Sequence, residues 1–299
     1  MAIGILSALL LLVALGGSPQ AAERASARAA DTLLFAHHDG IWTARSNGTH
    51  LRQVVAPKLN PEGASAAADA DVMVFEGRIS RPHAKRWIYV QALDASNRKR
   101  LSVDGYGPVI SPDGKTILFG NFSAHHERIY SAPTKGGQKE ELFVDLGGDN
   151  RDPSFTADGR ILFVHDDDDV DSSVYVAKAD GSDPQQLIPG DGEIAGPSYP
   201  VASPDGDQLT MLAAKSKRQK GADVWVVGTG PYATPTNLTQ DNVFDAYPTF
   251  SPDGKRIAWL KETGDPHIRT GEELWIMNAD GSDKHRVFDD ADYGPISWR

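Results

Sequence analysis

The sequence predicts an all-β fold, a six-bladed β-propeller of four-stranded blades, and three observations lead to this prediction. First, one proline-led motif recurs every 45 to 51 residues, beginning at Pro57, Pro108, Pro153, Pro200, Pro248 and Pro295. Second, each repeat carries the same strand and turn signals in the same order. Third, the first copy lacks its opening strand and the last residues supply a spare one. A period of this length is typical of propeller blades rather than of helical solenoids.

The motif ends in a tight turn. Four copies, at residues 111–114, 156–159, 203–206 and 251–254, read Ser-Pro-Asp-Gly or Thr-Ala-Asp-Gly, and a degenerate fifth copy is Asn-Pro-Glu-Gly at 60–63. Proline presets φ at the first corner, and glycine accepts the positive φ that a type I turn with a bulge requires. Hairpin geometry therefore accounts for these Asp and Gly residues, and we assign them no metal or catalytic role.

Two strand signals follow each turn. An alternating run ends in a large apolar residue, and a second run carries an aromatic residue at one fixed place. These aromatic residues are Trp42, Tyr89, Tyr130, Tyr175, Trp225 and Trp275. One large ring per blade predicts packing between neighbouring sheets. A polar turn, clearest at 179–182 and 279–282, then leads to the last strand of the blade.

The order of these signals predicts how the ring closes. If the strands are named A to D from the centre outward, the segment after residue 31 contains B, C and D without A. The closing residues 294–298 resemble the missing A strand, with the apolar position moved by about one residue. Joining the two termini in one blade removes exposed sheet edges. Residues 31–299 are therefore predicted to form one propeller.

Residues 1–30 predict a signal peptide or an N-terminal anchor followed by a disordered tether. Ile3 to Leu15 is almost entirely apolar and a small-residue stretch follows, although no Lys or Arg precedes the apolar run. We expect a periplasmic or secreted protein, with membrane contact only if this segment is retained. The absence of cysteine excludes disulfides and thiol chemistry, and the net charge of −11 argues against nucleic-acid binding. A monomer is expected.

The repeats also carry a family resemblance. Residues 247–259 and 274–282, Tyr-Pro-Thr-Phe-Ser-Pro-Asp-Gly-Lys-Arg-Ile-Ala-Trp and Leu-Trp-Ile-Met-Asn-Ala-Asp-Gly-Ser, resemble the WD40-like repeat of TolB-type propellers. The resemblance covers nearly all of residues 31–299 and implies the propeller fold. The same repeat occurs in the TolB translocation protein, in the propellers of prolyl-peptidase-like enzymes and in many secreted proteins. The resemblance thus implies a fold more specifically than it implies a function.

The loops between strands B and C hold most of the informative chemistry. Seven of the nine histidines fall in these loops, beside clusters of Arg, Lys and Asp. Because these loops share one rim of a propeller, we predict that this B–C rim is the working face. The candidate binding residues are His37, His38, Arg81, His83, His125, His126, Lys217, Arg218 and His267.

An acidic run in the fourth repeat is the candidate cation site, formed by His165, Asp166, Asp168 and Asp169. Carboxylate oxygens suit calcium or another divalent cation, but the run lacks the spacing of an EF-hand loop. A solvated charged loop is the alternative interpretation. A transition-metal site of the paired histidines with His165 would need loops from separate blades to converge. Otherwise we expect no cofactor.

Two functional hypotheses follow. No Gly-x-Ser-x-Gly elbow, His-Glu-x-x-His motif or phosphate loop is present. The first hypothesis is a non-catalytic extracytoplasmic interaction module that binds a protein or cell-envelope component through the B–C rim. The second is a carbohydrate-active lyase or hydrolase that uses rim histidines and acids, with or without a metal. The enzyme requires the histidines to converge on a concave pocket, whereas the module does not.

Overall fold

The computed structural model describes residues 31–37, 40–78, 85–123, 125–167, 172–190, 194–216, 221–230, 233–241, 243–262 and 272–299. In these residues, 24 strands form six four-stranded antiparallel sheets, which confirms the predicted six-bladed propeller. The one helical element in the described residues is a short 3-10 helix, Pro57–Leu59. No helix in the described part of the chain is long and apolar enough to cross a membrane.

The strands are numbered in chain order. The first half of the chain contains β1 (Thr32–His37), β2 (Gly40–Arg45), β3 (Arg52–Val55), β4 (Pro61–Ala66), β5 (Val72–Gly77), β6 (Trp87–Ala92), β7 (Lys99–Asp104), β8 (Tyr106–Ile110), β9 (Thr116–Ser123), β10 (His126–Pro133) and β11 (Glu140–Glu141). The second half contains β12 (Asp149–Phe155), β13 (Ile161–Asp166), β14 (Ser173–Ala177), β15 (Gln185–Ile188), β16 (Ala195–Ala202), β17 (Gln208–Ala214), β18 (Asp223–Gly228), β19 (Thr236–Asn237), β20 (Asp245–Phe250), β21 (Arg256–Glu262), β22 (Glu272–Asn278), β23 (His285–Ala291) and β24 (Ser297–Trp298).

Each blade takes its strands in order from the centre outward. Blade 1 is β24-β1-β2-β3, and blades 2 to 6 are β4 to β7, β8 to β11, β12 to β15, β16 to β19 and β20 to β23. The innermost strands contact one another around the ring, from β4 through β8, β12, β16 and β20 to β24 and back to β4. This circle of A strands surrounds the central channel.

The C-terminal strand closes the ring as the repeat phase predicts. β24 pairs with β1 so that Trp298 lies opposite Leu33 and Ser297 opposite Leu34. The pairing continues at Arg299, whose N–H donates to the Thr32 carbonyl oxygen at 3.0 Å. Strand A of the first blade therefore comes from the end of the chain.

The hydrophobic core consists of six separate clusters, one between each pair of neighbouring blades. Each cluster contains or is flanked by one of the six predicted aromatic residues. Each of these residues also lies directly opposite the large apolar residue that strand B supplies, such as Tyr89 opposite Phe75 or Trp275 opposite Trp259. Aromatic rings are thus buried together with aliphatic side chains between neighbouring blades.

The Asp-Gly turns have the predicted geometry. Gly254 has a φ of 71°, and its N–H donates to the carbonyl oxygen of Ser251 at 2.8 Å. The Ser251 hydroxyl donates to Asp253 at 2.6 Å, and the corresponding pairs recur in the turns at 111–114 and 203–206. The aspartates are therefore held within their own turns.

The alignment of the second repeat was wrong. Its A–B turn lies at residues 67–72, where the Ala67 N–H donates to the Val72 carbonyl oxygen at 3.0 Å. Pro57 instead begins the 3-10 helix, and residues 61–63 open strand β4. The true turn contains two aspartates but no proline or glycine, so its turn signal is weaker than that of Asn-Pro-Glu-Gly at 60–63.

Candidate functional site at the channel mouth

A cavity of about 890 Å³ occupies the centre of the ring. Its walls are the inner strands of all six blades, and Glu76, Arg78, Arg86 and Glu127 contribute to it from the B–C side. Arg78 and Arg86 belong to the B–C connection of blade 2, so this end of the channel opens on the B–C rim. We call this end the channel mouth.

Five inner strands contain a bulge with a left-handed residue. These residues are Gly63, Gly107, Asp152, Tyr199 and Tyr247, with φ values of 50°, 56°, 51°, 50° and 50°. In each strand the pairing register with strand B shifts at this residue. A bulge bends the strand and redirects a side chain, and non-glycine residues in this region carry strain that is common at functional sites.

The bulges of blades 5 and 6 place tyrosine rings on one wall of the mouth. The ring centroids of Tyr199 and Tyr247 are 4.4 Å apart, and those of Tyr247 and Tyr293 are 4.8 Å apart in an edge-on arrangement. Burial raises the pKa of Tyr199 and of Tyr247 well above the ordinary value. These three residues form the tyrosine wall, which offers ring faces and neutral hydroxyls.

Blade 2 forms a charged wall on another side of the mouth. Glu76 is 4% exposed and accepts hydrogen bonds from the Gly107 N–H at 2.9 Å and from Arg86 at 3.2 Å. Arg86 also pairs with Glu62 at 3.2 Å, and Arg78 contacts the same carboxylate. The pKa of Glu76 is raised to about 8, because the effect of burial, aided by Glu62, exceeds the lowering effect of Arg86. Glu76 therefore carries a proton at neutral pH.

Blade 4 contributes an arginine that joins two blades. Arg151 donates to Asp152 at 2.6 Å and to Asp166 at 2.7 Å, and its Nη1 donates to the hydroxyl of Ser198 in blade 5 at 3.1 Å. Asp152 also accepts the N–H of Tyr199 at 3.3 Å. Burial raises the pKa of Asp152, which Arg151 opposes. This network fixes the bulged strands β12 and β16 relative to each other.

Two buried donors in the cavity wall have no hydrogen-bond partner among the described residues. These are the Tyr106 hydroxyl and Nε of Arg78. Burial raises the pKa of Tyr106 above its ordinary range, and the nearby Glu127 carboxylate adds to this effect. Burial likewise raises the pKa of Glu127. Buried polar groups are usually satisfied, so these donors are available to a ligand or to water.

The four candidate histidines that the structure describes do not converge on this cavity. His37 and His165 are 8% and 6% exposed, and His125 and His126 lie at the turn between β9 and β10. None of these four described histidines lines the cavity.

His37 and His165 occupy equivalent places in blades 1 and 4. His37 donates to the Asp290 carbonyl oxygen and meets the Trp42 ring edge-on at 5.4 Å. His165 lies 3.0 Å from the side-chain oxygen of Asn150 and meets Tyr175 edge-on, also at 5.4 Å. Both imidazoles are packed beneath the B–C rim.

The other candidate residues have varied positions. His125 is exposed with a φ of 74°, and His126 lies 3.1 Å from Asp149. The Asp166 carboxylate accepts from Arg151, as described above. The candidates that lie outside the described residues are His38, Arg81, His83, Lys217, Arg218, His267, Asp168 and Asp169.

Sequence reasoning missed the tyrosine wall and the arginine network. The sequence did contain a signal for these residues. The position before the repeat proline differs from blade to blade, whereas the positions around it repeat; it holds Gly107, Asp152, Tyr199 and Tyr247 in blades 3 to 6. Variation at one place of a regular repeat is typical of residues that the fold does not dictate. The bulge that directs these side chains into the channel has no separate sequence signature.

Comparisons with solved structures place this fold among known propellers. TolB from Acinetobacter baumannii superposes with a TM-score of 0.72 at 18% identity, covering 89% of this chain and 65% of that one, so the chain spans less than two thirds of that protein. A chain of a nidogen/laminin complex gives a TM-score of 0.67 at 15% identity, with 89% and 97% covered. An oligogalacturonate lyase in complex with manganese gives 0.56 at 16% identity, with 87% and 74% covered.

These similarities define the architecture as a TolB-like propeller. No protein-family model matches the sequence, and no curated protein matches it. The structural relatives include a chain from a protein complex and an enzyme. Sequence identities this low show a shared fold and do not show a shared function.

Proposed function

We propose that this protein is a non-catalytic extracytoplasmic interaction module that binds a protein, or another cell-envelope component, at the channel mouth and the surrounding B–C rim. The observation that carries the proposal is the composition of the mouth. Aromatic faces on the tyrosine wall share the mouth with paired charges on blades 2 and 4, and none of the four described candidate histidines lines the cavity. Rigid rings combined with arginine are the residue types that dominate protein interfaces.

The charges of the mouth favour recognition over catalysis. Glu62 is paired with two arginines, and Arg151 is shared between Asp152 and Asp166. Opposite charges that neutralise each other give orientation and specificity to a partner without a strong field for a polyanion. The two buried donors, on Tyr106 and Arg78, supply hydrogen bonds that a docked segment can complete.

Export is part of the same proposal. The apolar stretch from Ile3 to Leu15 and the small residues after it have the composition of a secretory signal. A chain of a nidogen/laminin complex has the same fold, which is compatible with the protein-binding part of the proposal.

Site-specific photocrosslinking tests the proposal. A photoreactive phenylalanine analogue replaces Tyr293, which is 39% exposed and lines the mouth. As a control, the same analogue replaces Asp180, an exposed residue of a C–D turn on the opposite rim. We expect a discrete crosslinked partner in intact cells from position 293 and none from position 180. Equal crosslinking from both positions, or none from 293, would reject the mouth as the binding face.

A carbohydrate-active enzyme is the second candidate, and one observation favours it. Glu76 is a buried carboxyl with a pKa of about 8, so at neutral pH it holds the proton that a general acid needs. The structural similarity to an oligogalacturonate lyase provides a substrate class to test. If the purified protein cleaves anionic oligosaccharides and Glu76→Gln does not, the enzyme would be supported and the non-catalytic module rejected.

A further inference from the structure

A second cluster of polar residues lies away from the channel, where blades 5 and 6 meet. Asp223 begins strand β18 of blade 5, Asp245 begins strand β20 of blade 6, and Asp241 lies in the connection between these blades. One carboxylate oxygen from each residue lies within 4.8 Å of the others. None of the three aspartates lines the central cavity.

The cluster is unusually buried for three acids. Asp223 is 2% exposed and Asp245 is completely buried. Lys261 pairs with Asp241, but its ammonium can balance only one of the three negative charges. Buried carboxylates are normally paired with cations or coordinate metals, because removing an ionised group from water is costly. A cation among the three carboxylates would offset the cost of burying them together.

Asp245 supplies an independent indication of a ligand. Its Oδ1 accepts the indole N–H of Trp259 at 2.9 Å, whereas its buried Oδ2 has no hydrogen bond among the described residues. The Thr239 hydroxyl lies near enough to lower the pKa of this carboxyl, but the larger effect of burial raises it to about 7. A completely buried carboxylate oxygen without a donor marks a position for a cation.

The neighbouring side chains hold the carboxylates in place. The Asn237 amide donates to Asp223 at 2.6 Å, Lys261 contacts Asp241, and Trp259 holds Asp245. Each acid is therefore oriented by a donor outside the cluster, as the carboxylate ligands of metals commonly are.

We propose that Asp223, Asp241 and Asp245 bind a divalent cation of the calcium type between blades 5 and 6. Calcium takes oxygen ligands at about 2.4 Å, so two ligands of one ion lie at most about 4.8 Å apart. The separation in the cluster meets this limit. Three carboxylates supply part of the six to eight oxygens that calcium takes, and water or peptide carbonyls complete the set. A bound ion would link β18 to β20 and tie the two blades together.

Terbium luminescence and calcium titration test the site on the full chain. Trp259 contacts Asp245 directly, so it will sensitise a terbium ion bound there, and added calcium will displace the terbium. We expect one calcium site per chain, with affinity lowered at least about tenfold in both Asp245→Asn and Asp241→Asn. The second variant keeps the test valid if the buried substitution at 245 prevents folding.

Asp166→Asn is the matched control, because Asp166 begins the acidic run of blade 4 and pairs with Arg151. We expect its calcium affinity to stay within about twofold of wild type. Absence of calcium binding by the wild-type protein would overturn the proposal. So would wild-type affinity in both the 241 and 245 variants, and loss of binding in Asp166→Asn alone would place the ion in blade 4.

Discussion

Equivalent places in this ring hold different residue types with different roles. His37 and His165 lie near the ends of the B strands of blades 1 and 4, and each meets an aromatic ring of its own strand C edge-on. In blade 6 the corresponding place holds Lys261, which contacts Asp241. A histidine beside a loop therefore need not face solvent, because residues near the end of a strand can still be buried.

Glu76 gives the first prediction at the residue scale. Its pKa in the folded protein, about 8, lies above the ordinary 4.5, so the folded state holds a proton that the unfolded state releases. The stability that this proton provides is present below about pH 4.5 and is lost as the pH rises through 8. Glu76→Gln cannot ionise, and we expect it to be more stable than wild type at pH 8 by on the order of 2 kcal/mol.

Urea unfolding of both proteins across pH 5 to 9 measures this difference. Glu140→Gln, at an exposed strand position, is the control and should follow the wild-type profile. Parallel profiles for Glu76→Gln and wild type would mean that Glu76 is ionised in the folded protein. That result would also remove the observation that favours the enzyme.

At the scale of the element, the tight turns and the bulged strands of each blade have different roles. The Asp-Gly turns on one rim are locked by their own side chains, as in the Ser251 to Asp253 hydrogen bond. The bulged A strands turn Asp152, Tyr199 and Tyr247 towards the channel. Left-handed glycines thus close the turns, whereas the left-handed residues of the A strands redirect side chains into the channel.

Replacing Gly254 tests the turn. The φ of 71° at this position is accessible to glycine but strained for a β-branched residue, so Gly254→Val should lose about 2 kcal/mol or more of unfolding free energy. His125→Ala, at an exposed loop position, should stay within about 0.5 kcal/mol of wild type. Thermal and urea unfolding measure both variants. Equal losses would contradict the division between structural turns and rim residues.

At the scale of the whole molecule, closure of the ring depends on a short C-terminal strand. Trp298 is 8% exposed and packs in the core cluster between blades 6 and 1. The Arg256 guanidinium lies 4.7 Å from the centroid of its ring. β24 therefore joins blade 1 through backbone pairing with β1 and contributes the Trp298 ring to the core between blades 6 and 1.

Trp298→Ala removes this connection. We expect a loss of about 3 kcal/mol in unfolding free energy, because a large buried ring is replaced by a cavity at the closing seam. Val144→Ala, at a side chain that is 64% exposed, is the control and should change stability little. Chemical denaturation measures both. A loss no larger than that of the control would show that the ring stays closed without the Trp298 ring.

The sequence alone determined the blade count, the ring closure and four of the turns, because these depend on local chemistry. Proline and glycine select turns, alternation selects strands, and one aromatic residue per repeat marks each interface between blades. The position of the turn in the second repeat was not predicted, because residues 67–72 contain neither proline nor glycine.

Only the tertiary structure decided which residues meet at the channel mouth and between blades 5 and 6. Glu76 and Gly107, Asp152 and Tyr199, and Asp223 and Asp245 are each brought together from different blades. Their proximity results from strand register, from bulges and from the order of blades around the axis. These are long-range properties that spacing along the chain does not encode, so the sites follow from the closed ring while the ring follows from the repeat.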